Sequence, residues 1–174
     1  MSGELKCGDK ILLSGVVYTA RDAAHKRFNA LLDEGKELPI PLKDAVIYYA
    51  GPTPAPEGKP IGSCGPTTSG RMDAYSPRLI KLGLHAMIGK GYRSDAVKKA
   101  IVDYHGVYFG AIGGAGAMMS SCIEECEVIA FDDLGPEAIR KLKVKNMPLV
   151  VVIDHLGNDL YEIGRKNYLK KDCK

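Results

Sequence analysis

The order of apolar runs and turn signals along this chain predicts an α/β fold, a β-rich leading section followed by strand–helix alternation. Three observations carry that prediction. The early apolar runs are rich in β-branched and aromatic residues, which suit a pleated surface. From Ser76 onward, short apolar runs end in glycine and hand over to helical patterns, as parallel α/β units do. The chain has 174 residues, with no repeat and no internal linker. One domain, residues 1–174, with a genuine core is therefore expected.

Taken in order, Gly8-Asp9-Lys10 opens a strand over residues 11–19. A helix is predicted over residues 21–34, because Ala24, Phe28, Leu31 and Leu32 recur at helical spacing. Thr19 is its candidate N-cap and Gly35 its stop. Residues 45–50 form a second strand. Residues 51–60 hold four prolines and must run as an extended loop, either a wall of a site, a partner surface or a plain connection. A short strand over 61–64 leads into Gly65-Pro66-Thr67-Thr68-Ser69-Gly70-Arg71-Met72-Asp73, whose glycines and proline make it a loop. Residues 76–82 read as a helix with Ser76 as N-cap and Pro77 in its first turn. The rest reads as strand 85–88, helix 94–104, strand 107–112, a helix opened by Gly113 to Gly116, strand 127–131, helix 136–142 and strand 149–153. His155 to Asn158 is a turn, with 159–163 pairing back as a hairpin.

Composition excludes several classes. Hydrophobic residues make up 45% and charged residues 26%, as in ordinary globular proteins. A net charge of +3 with no basic run among aromatics argues against nucleic acid. The longest apolar runs, such as Leu149 to Ile153, are too short to span a bilayer, and residues 1–6 show no apolar signal segment. A cytosolic protein is expected. The five cysteines, Cys7, Cys64, Cys122, Cys126 and Cys173, suit no disulfide framework and are expected reduced. Cys122 and Cys126 would share a face on a helix, half a metal site at most, and buried free thiols are the simpler reading.

The chemistry concentrates in the 65–73 loop. It gathers two threonine hydroxyls, a guanidinium and a carboxylate; unpaired loop amides can face an anion, and Arg71 can grip a carboxylate with two parallel bonds. No Gly-Lys-Ser/Thr follows, so it is not a P-loop. Arg21 and His25 lie four apart at a helix start, a place that favours anions. The plainer alternative is a solvated arginine and a packed histidine. Gly89-Lys90-Gly91 ends a strand, where open α/β sheets collect ligands. Gly113 to Gly116 is another glycine-rich turn without a dinucleotide fingerprint. His85 and His105 read as packed or surface histidines, Asp132-Asp133 as a loop or cap, and Asp154-His155 has no partner nucleophile.

Together, Thr19-Ala20-Arg21-Asp22-Ala23-Ala24-His25, the Gly-Pro-Thr-Thr loop, Gly89-Lys90-Gly91 and Asp154-His155-Leu156-Gly157-Asn158 resemble the β subunit of the iron–sulfur hydro-lyases. These are the class I fumarases and L(+)-tartrate dehydratases, and the resemblance covers nearly the whole chain. It implies a swivelling β/β/α domain and a partner α subunit, in an α2β2 hetero-oligomer. It implies a [4Fe–4S] cluster ligated by that α subunit and no metal ligand in this chain. It implies reversible hydration of fumarate to malate, with the open iron acting as Lewis acid. Thr67 then matches the proposed proton acceptor and His25 an active-site histidine. Arg21, Arg71 and Lys90 match residues that hold the carboxylates of a C4 dicarboxylate, with Thr68 and Asp73 beside them. Two alternatives stay open: tartrate as substrate, and a non-catalytic anion- or nucleotide-binding module. A dicarboxylate site needs Arg21 and Arg71 in one place, whereas a phosphate module would use the amides near Gly113 to Gly116. Gly70-Arg71-Met72-Asp73 leans toward the fumarase form.

Overall fold

The computed structural model describes residues 4–112 and 114–169; Gly113 and Cys173 lie outside the described residues. Six strands form one mixed sheet with helices packed on it. Strand β1 (Lys10–Thr19) leads into helix α1 (Asp22–Asp33), and β2 (Val46–Tyr48) follows. After the proline-rich segment and a 3₁₀ turn at Ser69–Met72 come α2 (Ser76–Lys81), β3 (Ala86–Gly89), α3 (Asp95–Asp103) and β4 (Val107–Gly110). The chain then runs through α4 (Gly116–Ser121), β5 (Ile123–Ala130), a 3₁₀ segment at Asp132–Glu137, β6 (Ile139–Ile153) and α5 (Leu160–Tyr168).

Strands β1, β2, β3 and β4 pair in parallel, in that order. The 15-residue β6 closes the arrangement. One of its edges runs antiparallel to β1, from Lys10↔Val150 to Tyr18↔Lys141. Its other edge is divided between β5, at Ile123↔Val144 to Ala130↔Ile139, and β4, at Tyr108↔Ile153 to Gly110↔Val150. The pairings β1–β2–β3–β4–β6–β1 therefore form a ring, with β5 attached outside it.

Alternation along the strands divides the core in two. Ile47, Tyr49, Met87 and Tyr108 join Phe28, Leu79 and Ile101 from the helices. Their neighbours Tyr48, Ile88 and Phe109 join Val17, Leu142, Met147 and Val151, drawn from every strand of the ring. All four residues of β3 are buried, as a strand covered on both faces must be.

Several expectations need correction. Residues 136–142 are not a helix: the 3₁₀ segment ends at Glu137, and Ile139 begins β6 with its side chains alternating inward. Residues 159–163 are not a hairpin arm. Asp159 makes one bridge to Ile153, but its carboxylate caps the Tyr161 amide and starts α5. Residues 61–64 form no strand. The strand expected at 127–131 begins at Ile123, so Cys126 lies in β5 while Cys122 ends α4, and the two share no helix. The N-cap of α1 is Arg21, because the Thr19 hydroxyl is used across the sheet, donating to the Ala138 carbonyl and accepting from the Arg140 amide. Ser76 sits inside α2, whose cap position is Tyr75. The second half is not wholly parallel, since β5 and β6 run antiparallel. Ser94, read as the first residue of its helix, instead caps α3 through its hydroxyl.

Candidate functional site

The C-terminal ends of the parallel strands bring the predicted residues together. β1 passes to α1 through Ala20, whose amide bonds the Tyr48 carbonyl at 3.2 Å. Arg21 follows in extended conformation, and its guanidinium lies against Gly51. A Cβ at Gly51 would fall 2.6 Å from Arg21 Nη1, so a larger residue there would push the guanidinium aside. Arg21 Nη2 is 3.5 Å from Glu137, and Arg21 Nε is 3.9 Å from Asp22 Oδ2. The other Asp22 oxygen accepts from Arg71 Nε at 2.8 Å. One carboxylate thus draws both arginines to one place. Arg71 keeps a half-exposed side chain.

The 65–73 loop is stitched into the sheet rather than free. Pro66 bridges Ala50, and Thr68 bridges Lys90 in parallel. The Thr67 amide donates to the Tyr49 carbonyl at 2.7 Å, the Lys90 amide to the Thr67 carbonyl at 3.3 Å, and the Ser69 amide to the Lys90 carbonyl at 2.9 Å. These bonds set Thr67 and Lys90, both half-buried, beside the exposed Thr68. They also correct an expectation. The amides of Thr67, Ser69, Arg71 and Asp73 are all committed within the protein, so those four do not face an anion; side chains carry the binding chemistry. Gly89 allows this close approach, since a Cβ there would lie 1.9 Å from Ser69 Oγ.

His25 is fully buried. Its Nδ1 lies 2.8 Å from the Arg21 carbonyl. A carbonyl only accepts, so Nδ1 carries the proton and Nε2 is a lone-pair acceptor. Burial lowers its pKa to about 4, against the Arg21 hydrogen bond and with help from Arg93, so the ring is neutral. Among the described residues Nε2 has no hydrogen-bond partner, nor do Arg21 Nε and Asp22 Oδ2, which face each other as an ion pair at 3.9 Å. Three buried polar atoms without a hydrogen bond, from positions 21, 22 and 25 at one helix start, are what a site awaiting a polar ligand presents.

Asp73 is already engaged, its oxygens accepting from Arg93 Nε at 2.7 Å and the Ser94 amide at 2.5 Å. Arg93, Tyr49, Tyr108 and Glu137 are the residues that the sequence reading missed. Glu137 accepts from the Ala23 amide at 2.9 Å, so the anion expected at the start of α1 is supplied from 114 residues away in the chain. No local pattern marks such a partner.

The other motifs resolve into structural roles. Asp154 accepts from the amides of Cys7, Leu156 and Asn158 and from the Asn158 side chain. Burial works against its charge, but those bonds hold its pKa below the usual carboxylate range. Gly116 packs on Gly65 and Ser63, where a Cβ would lie 2.3 Å from Ser63 Oγ. The glycine-rich turn is therefore backed by protein at the first residue of α4. Residues 52–55, 60 and 61 line a groove with Cys126, Val128, Pro136 and Arg140 that contains none of the predicted site residues.

An iron–sulfur cluster does not fit the described residues. No group of three or more His, Cys, Asp or Glu among them is placed to hold a metal. Burial and Asp154 push the Cys7 thiol up to about 11, and burial with Cys126 pushes Cys64 up to about 12; thiols held protonated are poor ligands. Among the described residues no helix is long and apolar enough to cross a membrane.

The chain is similar to known proteins over most of its length. A family model described as "Fumarase C-terminus" matches residues 2–164. The chain is 43% identical over 155 residues to "Fumarate hydratase class I, anaerobic" of Escherichia coli (strain K12), covering 88% of this chain and 28% of that protein. It is 42% identical over 155 residues to "Fumarate hydratase 1, mitochondrial" of Leishmania major, with the same coverage. It is 38% identical over 174 residues to "Putative L(+)-tartrate dehydratase subunit beta" of Methanocaldococcus jannaschii, covering 96% of this chain and 89% of that protein. The chain spans less than a third of the fumarate hydratases and nearly all of the subunit.

Proposed function

This chain belongs to the fumarase C-terminus family, and from that premise we propose that it is the β subunit of an iron–sulfur-dependent fumarate hydratase. It would supply carboxylate-binding and proton-transfer groups for the reversible hydration of fumarate to (S)-malate. The observation that carries the reading is the convergence of Arg21 and Arg71 on Asp22, with Arg71 on the same loop as Thr67, whose carbonyl accepts from the Lys90 amide. Two arginines and a lysine suit a dicarboxylate and the extra negative charge that develops when a proton leaves the carbon beside a carboxylate. A phosphate module on the glycine-rich turn is disfavoured by the packing of Gly116 on Gly65.

In this reading Arg21, Arg71 and Lys90 hold the two carboxylates, with the Thr68 hydroxyl at the rim. Thr67 is the proton acceptor at the substrate carbon. Its backbone is fixed on both sides, and cations held beside it would make oxyanion character less costly. His25 is the second choice. Its free Nε2 can accept a proton, but a group with a pKa of about 4 is a weak base at neutral pH. Asp73 acts through Arg93 and the loop rather than on substrate directly. The [4Fe–4S] cluster belongs to a cluster-bearing α subunit in an α2β2 assembly in the cytoplasm, and the ring of strands is the swivelling β/β/α domain that the family implies.

L(+)-tartrate dehydratase is the second reading, favoured by the matched length of the Methanocaldococcus jannaschii subunit. The chain co-expressed anaerobically with its cluster-bearing partner decides between them. Fumarate should be hydrated with a much higher kcat/KM than that for tartrate dehydration; the reverse order would replace the first reading with the second. Cluster absorbance in the chain reconstituted alone would refute the division of labour.

A further inference from the structure

We propose that Arg93 is a positioning residue of this site, a buried guanidinium that fixes the 65–73 loop and the end of β3 in working geometry. Its side chain is 0% exposed and its partner Asp73 13%. Arg93 Nε donates to Asp73 Oδ1 at 2.7 Å, and Nη2 donates to Ser76 Oγ at 2.9 Å, with the Tyr49 hydroxyl 3.4 Å away. The guanidinium carbon lies 5.3 Å from the Tyr49 ring centre and 5.0 Å from that of Tyr108. The Tyr108 hydroxyl in turn lies 2.9 Å from Ser69 Oγ and 3.0 Å from the Gly91 carbonyl.

Three of the groups Arg93 touches, Asp73, Tyr49 and Tyr108, reach a segment that carries the chemistry. Asp73 closes the turn holding Arg71. Tyr49 presents the carbonyl that accepts from the Thr67 amide. Tyr108 holds Ser69 on one side and Gly91, next to Lys90, on the other. A buried ion pair is a poor source of stability, because desolvating both charges offsets most of their attraction. Its use here is geometric: one planar group fixes the angle between loop and strand through a fork and two stacked rings. Lysine has the charge but neither the fork nor the plane.

The catalytic consequence rests on the hydro-lyase reading; the clamp does not. Arg93→Lys and Asp73→Asn should be made in the chain assembled with its cluster-bearing subunit, and amide hydrogen exchange measured alongside kinetics. Asp73→Asn keeps the side chain's shape, and carries the test if Arg93→Lys fails to fold. We expect faster exchange at Thr67, Ser69 and Lys90, unchanged exchange along the β1–β6 ladder, and kcat per folded molecule reduced about 10²-fold, the scale of an ångström-sized misplacement. Unchanged kcat per folded molecule, or exchange accelerated equally everywhere, would overturn the proposal. A cluster-loaded parent inactive on both substrates would refute the hydro-lyase reading instead. The exchange pattern would then decide the clamp alone: local loosening sustains it, and unaltered protection rejects it.

Discussion

Gly89→Ala tests the packing on which the site depends. Gly89 is not among the glycines in left-handed conformation, so alanine meets no backbone strain there. In the unfolded chain it would restrict conformational freedom, which by itself stabilises by about 0.4–1 kcal/mol. Against this, the new Cβ would lie 1.9 Å from Ser69 Oγ, 3.3 Å from Ser69 Cβ and 3.0 Å from Tyr49 Cδ2. Ser69 is fully buried, so it cannot swing into solvent. Overpacking of this kind costs about 1–3 kcal/mol, and displacing Ser69 Oγ from the Tyr108 hydroxyl adds about 1 kcal/mol. The net expectation is a destabilisation of about 1–3 kcal/mol, or roughly 3–10 °C in Tm for a chain of this size. Urea denaturation with an unchanged m-value would measure it. The double variant with Ser69→Ala removes the closest clash, so its loss should be smaller than the sum of the single losses. A neutral or stabilising Gly89→Ala, or strict additivity, would refute the argument that the loop rests on β3 through this contact.

Thr67→Ala should abolish hydration and malate proton exchange while leaving dicarboxylate affinity nearly intact, with Thr67→Ser retaining part of the activity; exchange at the parental rate would move the base elsewhere, first to His25. Arg71→Lys keeps the charge but loses the fork, and should remove about 2–4 kcal/mol of transition-state stabilisation; unchanged steady-state kinetics would place Arg71 outside the site. His25 makes stability pH-dependent. Its pKa is lowered in the folded state from 6.5 to about 4, so the unfolded chain binds the proton first. Its contribution is complete above pH 6.5 and is lost progressively as pH falls toward 4, about 3 kcal/mol in all. His25→Gln should flatten that part of the pH–stability curve, and a parallel curve for the parent and the variant would show that the histidine is not buried neutral.

What the sequence by itself determined is local. Periodicity located α1, and β-branched and aromatic content located β1 and β2, because each signal depends on neighbours within a turn or a strand. Motif chemistry named Arg21, His25, Thr67, Arg71 and Lys90, because unusual polar groups among glycines stand out from a solvated surface. The tertiary structure decided what depends on distant partners. Residues 136–142 carry a helical pattern, yet from Ile139 they enter β6 because β1 and β5 offer hydrogen bonds on both edges. Glu137 caps a helix far from it in sequence, and Thr19 is withdrawn from capping by Ala138. The loop amides that composition left free are paired by Tyr49 and Lys90. Arg93 looks like any surface arginine in sequence; only burial between Tyr49 and Tyr108, with Asp73 opposite, gives its charge a fixed address. A charge reveals its type in the sequence, but its solvent and its partner exist only once the chain has folded.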